Sequence, residues 1–226
     1  LDIIALVVTF FSVLIASRPA DEEHPFGHGK VENVAAVVQA GLIFAAGGLI
    51  INSAIRRIIT GARVELAEAG VGVMLVAIIV SLFLSRHLLQ VARATDSLAL
   101  EGNAYNIRAD VYSASAVLVG LAVVRFTGLN ILDPILALAV SSLILKSGYE
   151  VIRKSFGGLV DAKLPEAEER VIREAIMAHS GVVSFHQLRT RKVGNQRHID
   201  LHLVMPRDAS VEEAHRICDQ LEQEIA

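Results

Sequence analysis

The stretch ENVAAVVQAGLIFAAGGLIINSA, residues 32–54, decides the fold class of this chain. It holds one charged residue, Glu32, at its start, and it exceeds the roughly 20 residues with which an α-helix crosses a bilayer. Glycine and alanine are frequent in it, and such small residues let membrane helices approach each other closely. The stretch therefore predicts a membrane-spanning helix that packs tightly against a neighbour.

Four further apolar runs share this character: residues 1–17, 69–91, 104–126 and 131–152. The mean hydropathy is +0.52, and 53% of the residues are hydrophobic. Buried helices of a soluble protein are the alternative, but five such runs would need a very large core. We predict a helical membrane domain over residues 1–160 with about five visible spans. Because the chain starts inside an apolar run without methionine, we expect an earlier span to be missing and the run 1–17 to be truncated.

The remaining residues, 161–226, predict a small α-β-β-α domain whose C-terminal end we expect to be truncated. The segment PEAEERVIREAIMAH has a helical apolar spacing. The β-rich stretches VVSFHQLRTRKV and RHIDLHLVMP flank Gly194 and Asn195, a pair typical of a hairpin turn. Ser210 with Glu213 three residues later forms a capping-box pattern for the last helix.

Charge and cysteine content place this tail in the cytoplasm. Basic residues are somewhat more frequent in the connectors on the tail's side of the membrane, as the positive-inside rule requires. Cys218 is the single cysteine, so neither an intrachain disulfide nor a thiolate metal cage can form. The net charge of −3 gives no reason to expect nucleic acid as a partner. The apolar spans carry no Gly-rich loop with the Lys and Ser/Thr of a nucleotide site, and no organic cofactor is expected.

Three aspartates, Asp2, Asp110 and Asp133, lie within the predicted spans. Ionisable groups in spans are costly and usually functional. Asp133 precedes Pro134 at a helix entrance, where we expect it to cap the helix. Asp110 follows Asn106 by four residues, so both side chains share one helical face and could bind one cation if a second helix, carrying Asp2, supplied another ligand. Hydrogen bonding between helices is the alternative role for this polar face.

The connector ADEEHPFGHGK (residues 20–30), the preceding Asp2, the later NIRAD and the tail's HQLRTR together resemble the cation diffusion facilitator family, most closely its bacterial zinc and ferrous-iron efflux members. The resemblance covers nearly the whole chain. It implies a homodimer in the bacterial inner membrane, with six spans per protomer and a cytoplasmic metallochaperone-like domain. It also implies efflux of a divalent cation, Zn²⁺ or a related ion (Fe²⁺, Co²⁺, Ni²⁺, Mn²⁺, Cd²⁺), by exchange for protons and without enzymatic chemistry.

The resemblance assigns several metal ligands. It implies a transport site of Asp2, Asn106 and Asp110, although zinc-selective relatives usually carry His at the position of Asn106, so the identity of the metal stays open. It implies a connector site of Asp21, His24 and His28, and two imidazoles with a carboxylate suit zinc with water as the fourth ligand. The alternative for the connector is a solvated loop that starts the next helix.

In the tail, the resemblance implies metal ligands at His186, His202 and His215, which bind between the cytoplasmic domains of two protomers. It also implies a charge interlock of Lys30 and Asp161 that holds the spans of the dimer together. The competing function is a membrane-anchored metal sensor that does not transport. The carboxylates within the spans argue against it, because an anchor has no need of them.

Overall fold

The computed structural model describes residues 2–61, 68–127 and 131–225; the side chains of Asp2, of residues 68–70 and of Leu121, Arg125 and Phe126 are outside this description. The chain divides into two compact units, Leu1–Leu159 and Val160–Ala226. The first is helical, and the second contains a two-stranded sheet. The expected combination of a multi-span helical part and a small α+β domain is confirmed.

Five helices build the first unit: α1 (Asp2–Ala16), α2 (Lys30–Thr60), α3 (Glu68–Thr95), α4 (Leu98–Thr127) and α5 (Leu132–Leu159). By length and composition, α2 to α5 can each cross a membrane, whereas the apolar part of α1, Ile3–Ala16, is shorter. The four long helices extend past the apolar runs, because hydropathy marks the hydrocarbon-facing part of a helix rather than the end of its hydrogen bonding. The predicted run 104–126, for example, begins six residues after α4 does.

Helices α2 and α5 form the most extensive contact in this unit. The buried residues of α5 follow each other in alternating steps of three and four: Pro134, Ala137, Ser141, Ile144, Gly148, Val151 and Ser155. The buried face of α2 keeps the same period through Asn33, Ala36, Ala40, Ile43 and Gly47. A 3.5-residue period produces left-handed helix pairing. Because most of these side chains are small, the two backbones can approach closely, as the sequence predicts.

An ion pair joins the two helices where α2 ends and α5 begins. Arg57 Nη1 of α2 lies 2.6 Å from Asp133 Oδ2 of α5, and both side chains are largely buried. A Cβ atom on Gly120 of α4 would lie 2.5 Å from Asp133 Oδ1, so glycine is what lets α4 pack over the pair. Asp133 was expected to cap α5; the structure instead gives it a partner on another helix.

The second unit contains α6 (Glu166–Ala178), β1 (Ser184–Val193), β2 (Gln196–Val204) and α7 (Val211–Ile225), in the predicted order. The strands pair antiparallel, with Gly194 at φ 61° in the turn, as a glycine-led hairpin turn requires. The hydroxyl of Ser210 accepts the N–H of Glu213 at 3.1 Å, which confirms the predicted cap. Ile172 and Ile176 of α6 pack against one face of the sheet.

A bulge in β1 decides which side chains share the other face. The register shifts between His186 and Arg189, where Gln187 has a φ of 56°. The extra residue lets Phe185 and Leu188, three positions apart, both contribute to the core. His186 consequently lies on the opposite, exposed face, paired with His202 of β2.

We expect Gly120→Ala to lower the thermal stability of the protein in detergent, because the added methyl group displaces Asp133 from Arg57. Overpacking of this kind costs about 1–3 kcal/mol. The chain has no tryptophan, so unfolding is best followed by circular dichroism at 222 nm.

The matched control is Gly41→Ala on α2, where an added Cβ would meet nothing within 4 Å. Alanine favours helix over glycine by up to about 1 kcal/mol, so this variant should be unchanged or slightly more stable. Equal melting temperatures of Gly120→Ala and Gly41→Ala would contradict the conclusion that the packing at Gly120 requires glycine.

Candidate metal sites

The connector between α1 and α2 folds three potential ligands into one cluster. Asp21 Oδ1 accepts the backbone N–H of His24 at 2.6 Å and lies 3.2 Å from His24 Nδ1. Asp21 Oδ2 lies 3.4 Å from His28 Nε2, and the two imidazole rings are 4.4 Å apart. One ligand atom from each of the three residues falls within 4.8 Å of the others. Within the described residues, this is the one such group of three or more His, Cys, Asp or Glu side chains.

Local backbone geometry produces this cluster. The Asp21 side chain closes a turn onto the His24 N–H, and Gly27, at φ 76°, supplies the left-handed conformation that glycine adopts freely. His28 then lies just before α2, mostly buried, and its Nδ1 has no hydrogen-bond partner among the described residues. The other ring nitrogen, His28 Nε2, faces the Asp21 carboxylate, and an imidazole nitrogen beside a carboxylate is an arrangement that a bound cation would satisfy.

Neighbouring groups favour the ionised form of the Asp21 carboxylate. The His24 backbone N–H is the main cause that lowers the pKa of Asp21 below its ordinary value, and the two neighbouring imidazoles act in the same direction. The carboxylate therefore stays ionised down to a lower pH than an ordinary aspartate.

The transport-site prediction concerns α1 and α4. Asn106 is buried and Asp110 exposed, one turn apart on α4. Helix α1, which carries Asp2, packs against both α2 and α4. The Asp2 side chain lies outside the described part of the chain, and so do its distances to Asn106 and Asp110. The structure does place the helix that carries it beside the helix that carries Asn106 and Asp110.

The tail brings two of its three predicted histidines together. His186 and His202 pair across the strands with ring centroids 5.1 Å apart. His215 lies on α7 and is exposed, with Nε2 3.9 Å from Asp219 Oδ2. The three histidines do not form one cluster in the part of the chain that the structure describes. Helix α7 lies with α6 on the core side of the sheet, whereas the His186–His202 pair lies on the other side.

The two members of the predicted charge interlock lie in different units. Lys30 is the first residue of α2, and Asp161 follows α5 by two residues. Within its own unit, Asp161 Oδ2 lies 3.7 Å from Arg191 Nη1. The interlock stays a prediction.

The sequence did not identify the polar side chains that join helices in the first unit. Arg57, which pairs with Asp133, and Gln39, fully buried in α2, are two of them. A lone amide in the run VAAVVQAGLIF was the available signal for Gln39. No signal in the sequence identifies its partners, because they lie on another helix.

Comparison with known proteins agrees with this architecture. Residues 1–160 match the family model described as the cation efflux transmembrane domain, and residues 164–226 match the one described as the cation efflux protein cytoplasmic domain, a dimerisation module.

Among similar proteins, the cation-efflux pump FieF of Pectobacterium atrosepticum is 34% identical over 224 residues, which cover 99% of this chain and 74% of that protein. FieF of Salmonella typhi is 32% identical with the same coverage. An uncharacterised transporter of Synechocystis sp. is 29% identical over 226 residues, 100% of this chain and 73% of its own length.

The two matched domains, the spans and the extent of the FieF similarity agree with one another: the chain belongs to the cation diffusion facilitator family, as a multi-span divalent-cation efflux transporter of the inner membrane with a cytoplasmic C-terminal domain.

Proposed function

We propose that this transporter exchanges a divalent transition-metal cation for protons at a site formed by Asp2, Asn106 and Asp110. The observation that carries the proposal is the packing of α1 against α4, with Asn106 and Asp110 one turn apart on α4. Carboxylates must lose their protons before they bind a metal. Cation and protons therefore compete for one site, and a proton gradient can drive export without ATP.

The ligand types bear on which metal is carried. Asn106 offers a neutral oxygen, whereas imidazole nitrogen favours zinc and its neighbours in the transition series. Two carboxylates and one amide make a harder set than a site with histidine. We therefore propose that the site accepts Mn²⁺, Fe²⁺ or Co²⁺ beside Zn²⁺ and Cd²⁺.

The other predicted sites take regulatory roles in this proposal. Residues 1–160 form the transport domain and residues 161–226 a metal-sensing domain of a homodimer in the lipid bilayer.

Asp21, His24 and His28 bind a second metal ion at the membrane surface. The His186–His202 pair is completed by His215 of a second copy, since His215 is on the other side of its own sheet. Lys30 and Asp161 would hold the dimer together near the membrane.

We expect Asp110→Ala to abolish metal uptake into proteoliposomes under an imposed pH gradient. Loss of a charged ligand costs several kcal/mol, and each 1.4 kcal/mol is a factor of ten, so the rate should fall by about 100-fold or more. Asp208→Ala, which removes an exposed carboxylate from a tail loop, is the control and should transport normally. Undiminished uptake by Asp110→Ala would remove the proposed site. No uptake of any metal by the unmodified chain, with metal still bound in its tail, would favour the sensor.

We expect Asn106→His to raise the ratio of Zn²⁺ to Mn²⁺ transport, because imidazole nitrogen replaces an oxygen donor at the site. A shift of about tenfold corresponds to 1.4 kcal/mol of relative preference. Competition between the two ions in the same vesicles measures it. Asn103→His, at a buried asparagine one turn earlier on α4, should leave the ratio unchanged. Equal ratios in Asn106→His and the unmodified protein would place the selectivity elsewhere.

Metal binding to the connector should weaken as the pH falls. Histidine changes charge between about pH 5 and 8, and protonated imidazole cannot bind metal, whereas the lowered pKa of Asp21 keeps its carboxylate ionised. Calorimetric titration with Zn²⁺ should therefore show one high-affinity site fewer in His28→Ala, and weaker binding to the unmodified connector at pH 5.5 than at pH 7.5. Glu23→Ala, an exposed acid of the same loop, is the control. Identical stoichiometry in His28→Ala and Glu23→Ala would contradict a metal site here.

A further inference from the structure

Three helices meet at one buried amide. Gln39 of α2 is 0% exposed, and its Nε2 donates to the Ala5 carbonyl of α1 at 2.7 Å and to Thr9 Oγ1 of the same helix at 2.8 Å. The Thr9 hydroxyl donates in turn to the Ala5 carbonyl at 3.0 Å. The amide therefore reaches both a backbone and a side-chain oxygen of α1.

Helix α4 closes the junction from the other side. A Cβ atom on Gly102 would lie 3.1 Å from Gln39 Cβ and 3.5 Å from Ala36 Cα, so glycine permits this approach. Gly102 precedes Asn106 by four residues, and Ala5 follows Asp2 by three. The junction thus lies one helical turn from the proposed ligands on both helices.

Among its described residues, helix α1 fully buries no large apolar side chain. Its buried side chains are small or polar, namely Ala5, Thr9 and Ser12. Large apolar side chains such as Ile3, Leu6 and Phe10 are exposed. Apolar packing in a bilayer gives no hydrophobic driving force between helices, so interhelical hydrogen bonds have a larger share in fixing helix position.

We propose that Gln39 is a positioning residue that ties α1 to α2 through Ala5 and Thr9 and thereby sets the place of Asp2 relative to Asn106 and Asp110. This inference rests on the proposed transport site. Gln39 itself does not bind the cation in this scheme; it acts through the helix that carries Asp2.

The unused half of the amide makes the proposal testable. Gln39 Oε1 is buried and has no hydrogen-bond partner among the described residues. Gln39→Met keeps nearly the same volume, removes the two donated bonds and also removes this unsatisfied acceptor. Such a replacement is far less disruptive to folding than one that creates a cavity. Gln90→Met, at an exposed position of α3, is the matched control.

The experiment measures Zn²⁺ transport by the full chain in proteoliposomes as a function of Zn²⁺ concentration. A misplaced Asp2 weakens binding, so Gln39→Met should raise KM about tenfold with kcat within about twofold, while Gln90→Met changes neither. Thr9→Val should give a smaller rise in KM. The double variant should be no worse than Gln39→Met, because both changes act on one junction.

Two results would overturn the proposal: an unchanged KM in Gln39→Met, or effects of Gln39→Met and Thr9→Val that simply add. If circular dichroism shows that Gln39→Met is unfolded, Thr9→Val alone tests the proposal. An unchanged KM in Thr9→Val would then contradict the positioning role of Gln39. Asp110→Ala in the same assay separates the two proposals. If it still transports, the transport site is wrong; if it is inactive while Gln39→Met is normal, only the positioning role fails.

Discussion

The close approach of α2 and α5 is the constraint on which the rest of the helical unit depends. Buried residues, most of them glycine, alanine or serine, recur along the facing sides of the two helices at alternating steps of three and four. In a bilayer, association of helices relies on van der Waals contact and interhelical hydrogen bonds, and both need short distances between backbones. With these two helices paired, α4 contacts both of them, and α1 and α3 pack against that group.

The polar residues of this unit follow from the same constraint. Arg57 and Asp133 satisfy each other across the helix pair, and Gln39 bonds to α1. Asn33 on the first turn of α2 is nearly fully buried and donates to the Ser155 carbonyl of α5 at 3.3 Å. Each of these three contacts joins two helices, as expected where water cannot supply partners.

Sequence reasoning identified what is local. Apolar length identified the spans, Gly194 with Asn195 identified the hairpin, and Ser210 identified the cap of α7. The helices extend past the predicted spans because helical hydrogen bonding continues into polar residues such as Arg57. The cluster of Asp21, His24 and His28 could also be predicted from the sequence, since the three residues lie within one short connector. The partners of Gln39 and Asp133 could not be predicted, because a linear pattern does not specify which helices become neighbours.

The bulge at Gln187 has a consequence for how the length of β1 can vary. His186 and Phe185 lie before the extra residue, and Leu188 and Arg189 lie after it. If Gln187 were removed, side chains would alternate regularly between the two faces along the whole of β1. All remaining side chains of the strand would therefore keep their present face. Removing a residue between Arg189 and Val193 would instead turn part of the strand over. Among single-residue deletions inside this strand, the deletion of Gln187 is therefore the one that preserves both the core and the pairing of His186 with His202.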